Sequence, residues 1–559
     1  MNCPSRTDNT LDHPGWNQNP PPLNAETTTR NDLNGITNSR EHREHGSDLG
    51  GMATGRTEKT PQGGVFAATS GFEQPKSHSE SPRRPLKEIL YTSCSGMWQT
   101  LINFGRFVGP GFLIAVAYID PGNYSTDVAA GASSRYALLF IVLLSNLFAI
   151  FLQSLCIKLG TVTGLNLAEN CRDHLPKWLV IILYIFSEAA IVATDIAEVI
   201  GSAIALNLLL KIPLVAGCAI TLADVLILLV FYRPNGSIWG LRAFEFFVMA
   251  LVLGVVVCFC IQLSLIQDQS IGAVFKGYLP SAAVVKSNGL YQSCGILGAT
   301  VMPHSLFLGS GVVQARLKHF DVTQGYVESS VPLGSNGGEV EYRPSIHAIR
   351  GCLKYSIIEL TLSLFTFALF VNSAILIVAG ASLYGVSGSD SADIWAIHDL
   401  LSSSIAPAAG LIFALALLLS GISAGIVCTM AGQMVSEGML NWSVQPWVRR
   451  LVTRLISIVP SIIIAAAVGK DGLDQALNAS QVVLSIILPF VTAPLIYFTC
   501  RNRYMTVPAP EGLDGESDHP AEGIGMRNHF LVTALAVVIW IVIAVMNIAL
   551  LVLLGMGED

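Results

Sequence analysis

The chain reads as an all-α, multi-pass membrane protein. It is expected to hold two five-helix halves in inverted repeat, plus an eleventh helix, with helices 1 and 6 broken. Three observations lead there. First, the composition is not that of a soluble chain: of 559 residues, 52% are apolar and only 13% charged. Second, eleven apolar runs follow one another from about residue 105 onward, many long enough to cross a bilayer, which takes about 20 apolar residues. Third, two of these runs are interrupted by helix-breaking residues at corresponding positions in the two halves, about 180 residues apart, and such paired interruptions point to a transport site.

Residues 1–95 precede the runs. They are rich in Asn, Pro, Ser, Thr, Gly, Glu and Arg, without helical or strand period, and are expected to form a disordered cytoplasmic tail. His13, His42 and His45 sit among charged residues and read as a solvated patch rather than a metal site. The tail lacks the short apolar core of a secretory signal. Its Lys59, Lys76 and Lys87 make it a candidate platform for trafficking or ubiquitination machinery.

The runs are expected at 105–131 (broken at 120–123), 136–159, 177–209, 212–232 and 240–265, forming a first repeat over 100–265. A second repeat over 290–500 holds 290–315 (broken near 302–303), 352–381, 406–433, 449–469 and 475–500. It carries a cytoplasmic loop at 317–350. The eleventh helix is 529–556. Repeats of five spans insert with opposite orientation, so the halves are inverted copies. Lys and Arg concentrate in the loops on the side of the tail (Arg172, Lys177, Arg316, Lys318, Arg501, Arg503), while the 382–404 loop has Asp390, Asp393 and Asp399 but no Lys or Arg. This bias puts the N-terminus in the cytoplasm. The eleven cysteines are scattered, mostly within apolar runs and without a CxxC pair, so neither a zinc site nor a disulfide framework is suggested.

The first break is Asp120-Pro121-Gly122-Asn123, and the second is Met302-Pro303-His304. Pro removes a backbone donor and clashes with the preceding turn. Opened backbone at membrane depth is tolerated where it is buried in protein or lines a cavity. Ordinary proline kinks are the plainer alternative, but a carboxylate beside one break and a thioether beside the other favour an ion site. Asp120, the Asn123 carbonyl oxygen, opened backbone near Ala117 and Ala299, and the Met302 sulfur form a mixed oxygen and sulfur set. It suits Mn²⁺ or Fe²⁺ better than Ca²⁺ or Mg²⁺. Gln481, in the tenth run, is a further candidate ligand in one state of the cycle, the alternative being a bond to neighbouring backbone.

Segment three carries Glu188, Asp195 and Glu198, spaced so that they share one stripe of a helix. Three acids facing lipid are prohibitive, so the stripe faces protein or water. Arg454 lies deep enough in segment nine to pair with one of them. With His304, whose ordinary pKa is near 6.5, these residues form a candidate proton pathway; a structural ion-pair network is the alternative. Asp224, Glu245, Lys354 and Glu359 are assigned only to pairing or capping.

Taken together, Asp120-Pro121-Gly122-Asn123 with Ala129-Ala130-Gly131 resembles the first-helix signature of the Nramp proton-coupled divalent-metal transporters. Gly298–His304 resembles their sixth-helix signature, Ala431-Gly432-Gln433 with Glu437-Gly438 their eighth, and Ser480–Ser485 with Leu488-Pro489-Phe490 their tenth. The resemblance implies a LeuT-like fold with metal at the two unwound helices. Its ligands would be Asp120, Asn123, Met302 and the Ala299 carbonyl, joined in particular states by the Ala117 carbonyl and Gln481. Asp120, His304, Asp195, Glu198 and Arg454 match positions linked to proton movement, and Met302 matches the element that disfavours alkaline-earth ions. There are departures. Ser305 stands where many relatives have Asn, Gly309 where many have a second His, and Ser420–Gly425 replaces a more polar run.

The expected function is secondary import of Mn²⁺ and Fe²⁺ into the cytosol by proton symport with alternating access, in the plasma membrane or a vacuolar or endosomal membrane. No prosthetic group, catalysis or nucleic-acid partner is expected, and no GxxxxGK[ST] phosphate loop is present. Two alternatives stand beside it: a transporter of the same fold using Mg²⁺ or Na⁺, and a membrane receptor or scaffold.

Overall fold

Over the described residues the apolar runs are largely helical. A computed structural model describes residues 109–222, 238–266, 269–326, 342–386, 394–441, 446–507 and 523–556. The tail with its histidines and lysines, Asp224, Asp390 and Asp393 lie outside the described residues, as do the Arg449, Arg450 and Asn478 side chains.

The first run splits into α1 (Pro110–Val116) and α2 (Pro121–Ser134). Then come α3 (Leu139–Thr163), the short α4 (Leu167–His174) and the long α5 (Lys177–Leu210). The described part of the fourth run is α6 (Leu214–Ile220), and the fifth run is α7 (Ile238–Leu265). After α8 (Ile271–Gly277), the sixth run splits into α9 (Ser287–Thr300) and α10 (Pro303–Gly311), followed by α11 (Gln314–Gln324). The seventh run is α12 (Ile346–Ser363) and α13 (Leu369–Ser382), joined by a π-helical turn at Leu364–Ala368. The rest are α14 (Ile394–Ser404), α15 (Pro407–Leu440), α16 (Pro446–Ala467), α17 (Lys470–Thr499) and α18 (Phe530–Met556). Thr506–Val507 and Ile524–Gly525 form a two-stranded antiparallel clip between α17 and α18. Among the described residues, eight helices are long and apolar enough to cross a membrane, two of them formed by consecutive pieces.

The 317–350 loop is helical at both described ends. α11 runs on to Gln324, and α12 has already begun at Ile346. Leu317 and Phe320 of α11 pack with Ala348 and Cys352 of α12 in a small apolar core. Asp321 ties α11 to the start of α12 by accepting from the Tyr342 hydroxyl at 2.6 Å, the Ser345 hydroxyl at 2.5 Å and the Ser345 backbone N–H at 2.9 Å. Burial and that carboxylate push the Tyr342 hydroxyl above its ordinary pKa. The stretch between segments seven and eight likewise holds a helix, α14, which buries Ile394, Trp395, Ile397 and Leu401.

The interior is built on α5, α15 and α17, with α2 packed on α13 and α10 on α3. The outer faces stay apolar: Trp178, Ile185, Phe247, Ile463, Phe530 and Ile548 are all exposed. In water such a surface would associate, whereas in a bilayer it contacts lipid tails that are as apolar as itself.

Candidate metal and proton site

Both breaks leave backbone groups that must find partners. α1 ends at Val116 and α2 begins at Pro121, where the missing proline N–H costs nothing because the first turn of a helix has no acceptor for it. Asp120 caps α2: its Oδ1 accepts from the Asn123 backbone N–H at 3.0 Å and from Asn123 Nδ2 at 2.7 Å. The Asn123 amide also donates to the Tyr118 carbonyl and to the Ala299 carbonyl, each at 3.2 Å. Three oxygens from both broken helices therefore converge on one nitrogen. The second carboxylate oxygen of Asp120, Oδ2, is buried with no partner among the described residues.

The opened carbonyls of the first break are bonded by side chains from elsewhere in the fold. Asn372 Nδ2 donates to the Tyr118 carbonyl at 3.1 Å, and the Ser420 hydroxyl donates to the Ile119 carbonyl at 2.7 Å. Ala117 is the C-cap of α1 and Ala299 lies at the C-terminal end of α9, so both expected backbone ligands stand at helix ends. Met302 is fully buried as the N-cap of α10. Gln481 of α17 lies against Gly122, where any side chain would strike its amide; its Oε1 is buried and unpartnered among the described residues. The structure thus brings Asp120, Asn123 and Ala299 into direct contact, and sets Gln481 beside them.

The second cluster is equally buried. Arg454 is 1% exposed, and its Nη1 pairs with Asp195 Oδ1 and lies 3.6 Å from Glu198 Oε2. A guanidinium buried without acids would be prohibitive, as would two acids without it. Glu188 lies nearer the start of α5 and is half-buried. Cys428 of α15 places its sulfur within 4.8 Å of ligand atoms of Asp195 and Glu198. His304, buried on α10, has Nδ1 3.3 Å from the Thr194 hydroxyl. That contact joins the second break to the helix carrying the acids.

Several participants escaped the sequence reading. Tyr118, Gln153 and Ser305 form one network: Gln153 Nε2 donates to the Tyr118 hydroxyl, the Ser305 hydroxyl and the Ser305 carbonyl, each at 2.9 Å. Asp127 is fully buried on α2, and neither of its carboxylate oxygens has a partner among the described residues. The available signal was a polar residue inside an apolar run, which Gln153, Asn372 and Asp127 all satisfy. Glu359 was assigned only to pairing or capping and does both. Its Oε1 accepts from the backbone N–H groups of Gly109 and Gly111 at 2.6 and 3.1 Å, while Oε2 pairs with Arg316 at 3.0 Å.

Residues 111–511 match the family described as natural resistance-associated macrophage protein-like. The chain belongs to the Nramp family. Among its relatives, the manganese transporter pdt1 of Schizosaccharomyces pombe is 53% identical over 84% of this chain and 89% of its own. The iron transporter SMF3 of Saccharomyces cerevisiae is 49% identical over 82% of this chain and 98% of its own. A crystal structure of the Eremococcus coleocola manganese transporter superimposes with a TM-score of 0.66 at 31% identity, covering 86% of this chain and 88% of that one. Set against the Nramp signatures, the departures acquire physical reasons. Gly309 leaves room for the Gln153 amide, whose Oε1 occupies the place a side chain would take. Ser305 is the hub that binds Tyr118, Gln153 and the Met302 carbonyl. Ser420 keeps one polar group of the altered eighth-helix run on the opened Ile119 carbonyl.

Proposed function

We propose that this Nramp chain carries Mn²⁺ and Fe²⁺ into the cytosol together with protons, by alternating access about helices 1 and 6. Three features support the reading. The relatives are named for manganese and iron transport. The oxygens of Asp120 and Ala299 meet at Asn123. Asp120 Oδ2 remains an unpartnered buried carboxylate oxygen among the described residues. The last observation carries most weight, because a buried carboxylate oxygen is costly unless something positive visits it.

On this reading the metal ion is drawn to Asp120, Asn123, Met302 and the Ala299 carbonyl. The Ala117 carbonyl and Gln481 join in particular states. For Asn123 to present its oxygen, its amide must turn away from the bonds it donates to Asp120 and Ala299. Metal binding is thereby coupled to local rearrangement of both breaks. A thioether ligand favours transition metals over Mg²⁺ and Ca²⁺, whose partners are oxygens. A proton arriving with the metal is accepted at Asp120. It passes toward Asp195, Glu198 and Arg454, with His304 and Glu188 as further members of the pathway. The two five-helix halves, 100–265 and 290–500, act as inverted repeats, and the tail faces the cytoplasm.

Uptake into proteoliposomes tests this. Mn²⁺ and Fe²⁺ should enter, acidification inside should accompany them, and an inward proton gradient should speed them, with Mg²⁺ excluded. Metal entry that is indifferent to the gradient would remove the proton from the mechanism. Equal entry of Mg²⁺ would remove the assigned selectivity.

A further inference from the structure

A long apolar groove of about 840 Å³ runs along the outer face between α5, α17 and α18, lined among others by Leu183, Phe186, Phe490, Pro494, Tyr497 and Ala544. That volume falls within the about 300–1,000 Å³ of pockets that enclose a small molecule. On α17 it extends from Ile486 to Tyr497, about 17 Å at 1.5 Å per residue. This is close to one leaflet of a hydrocarbon core about 30 Å thick.

The groove has a basic end. α5 begins at Lys177, between the lining residues Leu175 and Leu179; α17 ends just past the lining residue Tyr497 and before Arg501 and Arg503; and the Asn528 N–H, next to Arg527, donates to the Thr499 carbonyl at 3.0 Å and so ties the start of α18 to that end. All four cations are exposed. The neighbouring Asp173 is held by Arg172 at 2.9 Å. The link between the groove and its basic end is direct. The Arg501 guanidinium lies 4.3 Å from the ring centroid of Tyr497, a lining residue, and the Tyr497 and Tyr504 hydroxyls are 3.2 Å apart. An apolar trough one leaflet deep, closed at one end by cations and phenol hydroxyls, matches a molecule with acyl chains and an anionic head.

We infer that this groove is a binding site for an anionic phospholipid of the leaflet facing Arg501, its head at Arg501, Arg503, Lys177 and Arg527 and its chains between α5, α17 and α18. A lipid there touches both the helix carrying Asp195 and Glu198 and the helix carrying Gln481. Ordinary boundary lipid would fill the groove without regard to head-group charge, so head-group selectivity is the discriminating property.

The test uses the full chain in nanodiscs of phosphatidylcholine with about one lipid in five replaced by phosphatidylserine, near-surface cations each being worth a several-fold preference for anionic lipid. Lipid retained on the protein after release is counted by native mass spectrometry. The wild type should retain phosphatidylserine preferentially. Arg501→Gln with Arg503→Gln should lower that retention by about fivefold for each cation removed, and Arg501→Lys should largely keep it. Ala544→Trp, which fills the groove without changing charge, should also lose it. Ala493→Leu serves the same purpose if the tryptophan variant does not fold. Equal retention of the two lipids by the wild type overturns the inference, as does full retention by either the charge or the groove variant.

Discussion

Asp120 has an observed task, capping α2, and a proposed one, holding metal, and paired substitutions separate them. Its Oδ1 caps α2 through the Asn123 backbone N–H, while Oδ2 is unpartnered among the described residues. Asp120→Asn keeps a capping oxygen and removes the charge, whereas Asp120→Ala removes both. Replacing an N-cap by Ala costs about 0.5–2 kcal/mol, typically about 1 kcal/mol. A metal that binds only the folded state stabilises it by about 2.7 kcal/mol at 100 times its Kd. Thermal melts of the purified protein, with and without Mn²⁺, report both terms. The wild type should melt higher with Mn²⁺. Asp120→Asn should melt close to the metal-free wild type and gain nothing from Mn²⁺. Asp120→Ala should melt lower by the equivalent of about 1 kcal/mol and also gain nothing. Neither variant should take up metal in proteoliposomes. An Asp120→Asn protein that keeps the full Mn²⁺ shift would remove Asp120 as a ligand, and an Asp120→Ala protein that melts with Asp120→Asn would remove the cap.

Three further outcomes follow from the same geometry. Met302→Ala should let Ca²⁺ or Mg²⁺ compete better against Mn²⁺ uptake, and an unchanged competition curve would count against the sulfur ligand. Glu198→Gln should weaken proton movement more than metal binding, measured by intravesicular acidification beside Mn²⁺-induced melting shifts; an equal loss in both would favour a purely structural network. Arg454→Met should cost about 3–5 kcal/mol, because it leaves Asp195 and Glu198 as uncompensated buried acids. Adding Asp195→Asn should recover part of that loss, and a melt unaffected by Arg454→Met would contradict the buried pairing.

Much of the candidate site was legible because membranes make polar residues conspicuous. Pro121 and Pro303 mark breaks by chemistry alone, and a helix interior at membrane depth cannot hide Asp195, Glu198 or Arg454 without partners. Their spacing on α5 put Asp195 and Glu198 on one face and the depth of Arg454 made it their expected partner, and the structure places its guanidinium beside both. The helical ends of the 317–350 stretch were hidden for the opposite reason. Its polar, charged composition is compatible with a short helix when Leu317 and Phe320 have Ala348 and Cys352 to pack on, and that partner is distant in sequence.

The sequence by itself determined the apolar runs, the two breaks and the residue types beside them, because each follows from local backbone chemistry and the cost of polar groups in lipid. Only the tertiary structure decided which groups meet. Asn123 bonds Ala299 across 176 positions, Ser420 reaches the Ile119 carbonyl across 301, and Glu359 caps α1 across 250. Such pairings depend on how helices cross, which helical periodicity does not encode. Gln153 filling the space above Gly309, and the groove between α5, α17 and α18 with its basic end, arise in the same way. They are properties of helices brought side by side, where the shape left between them and the charges at their ends are set by packing.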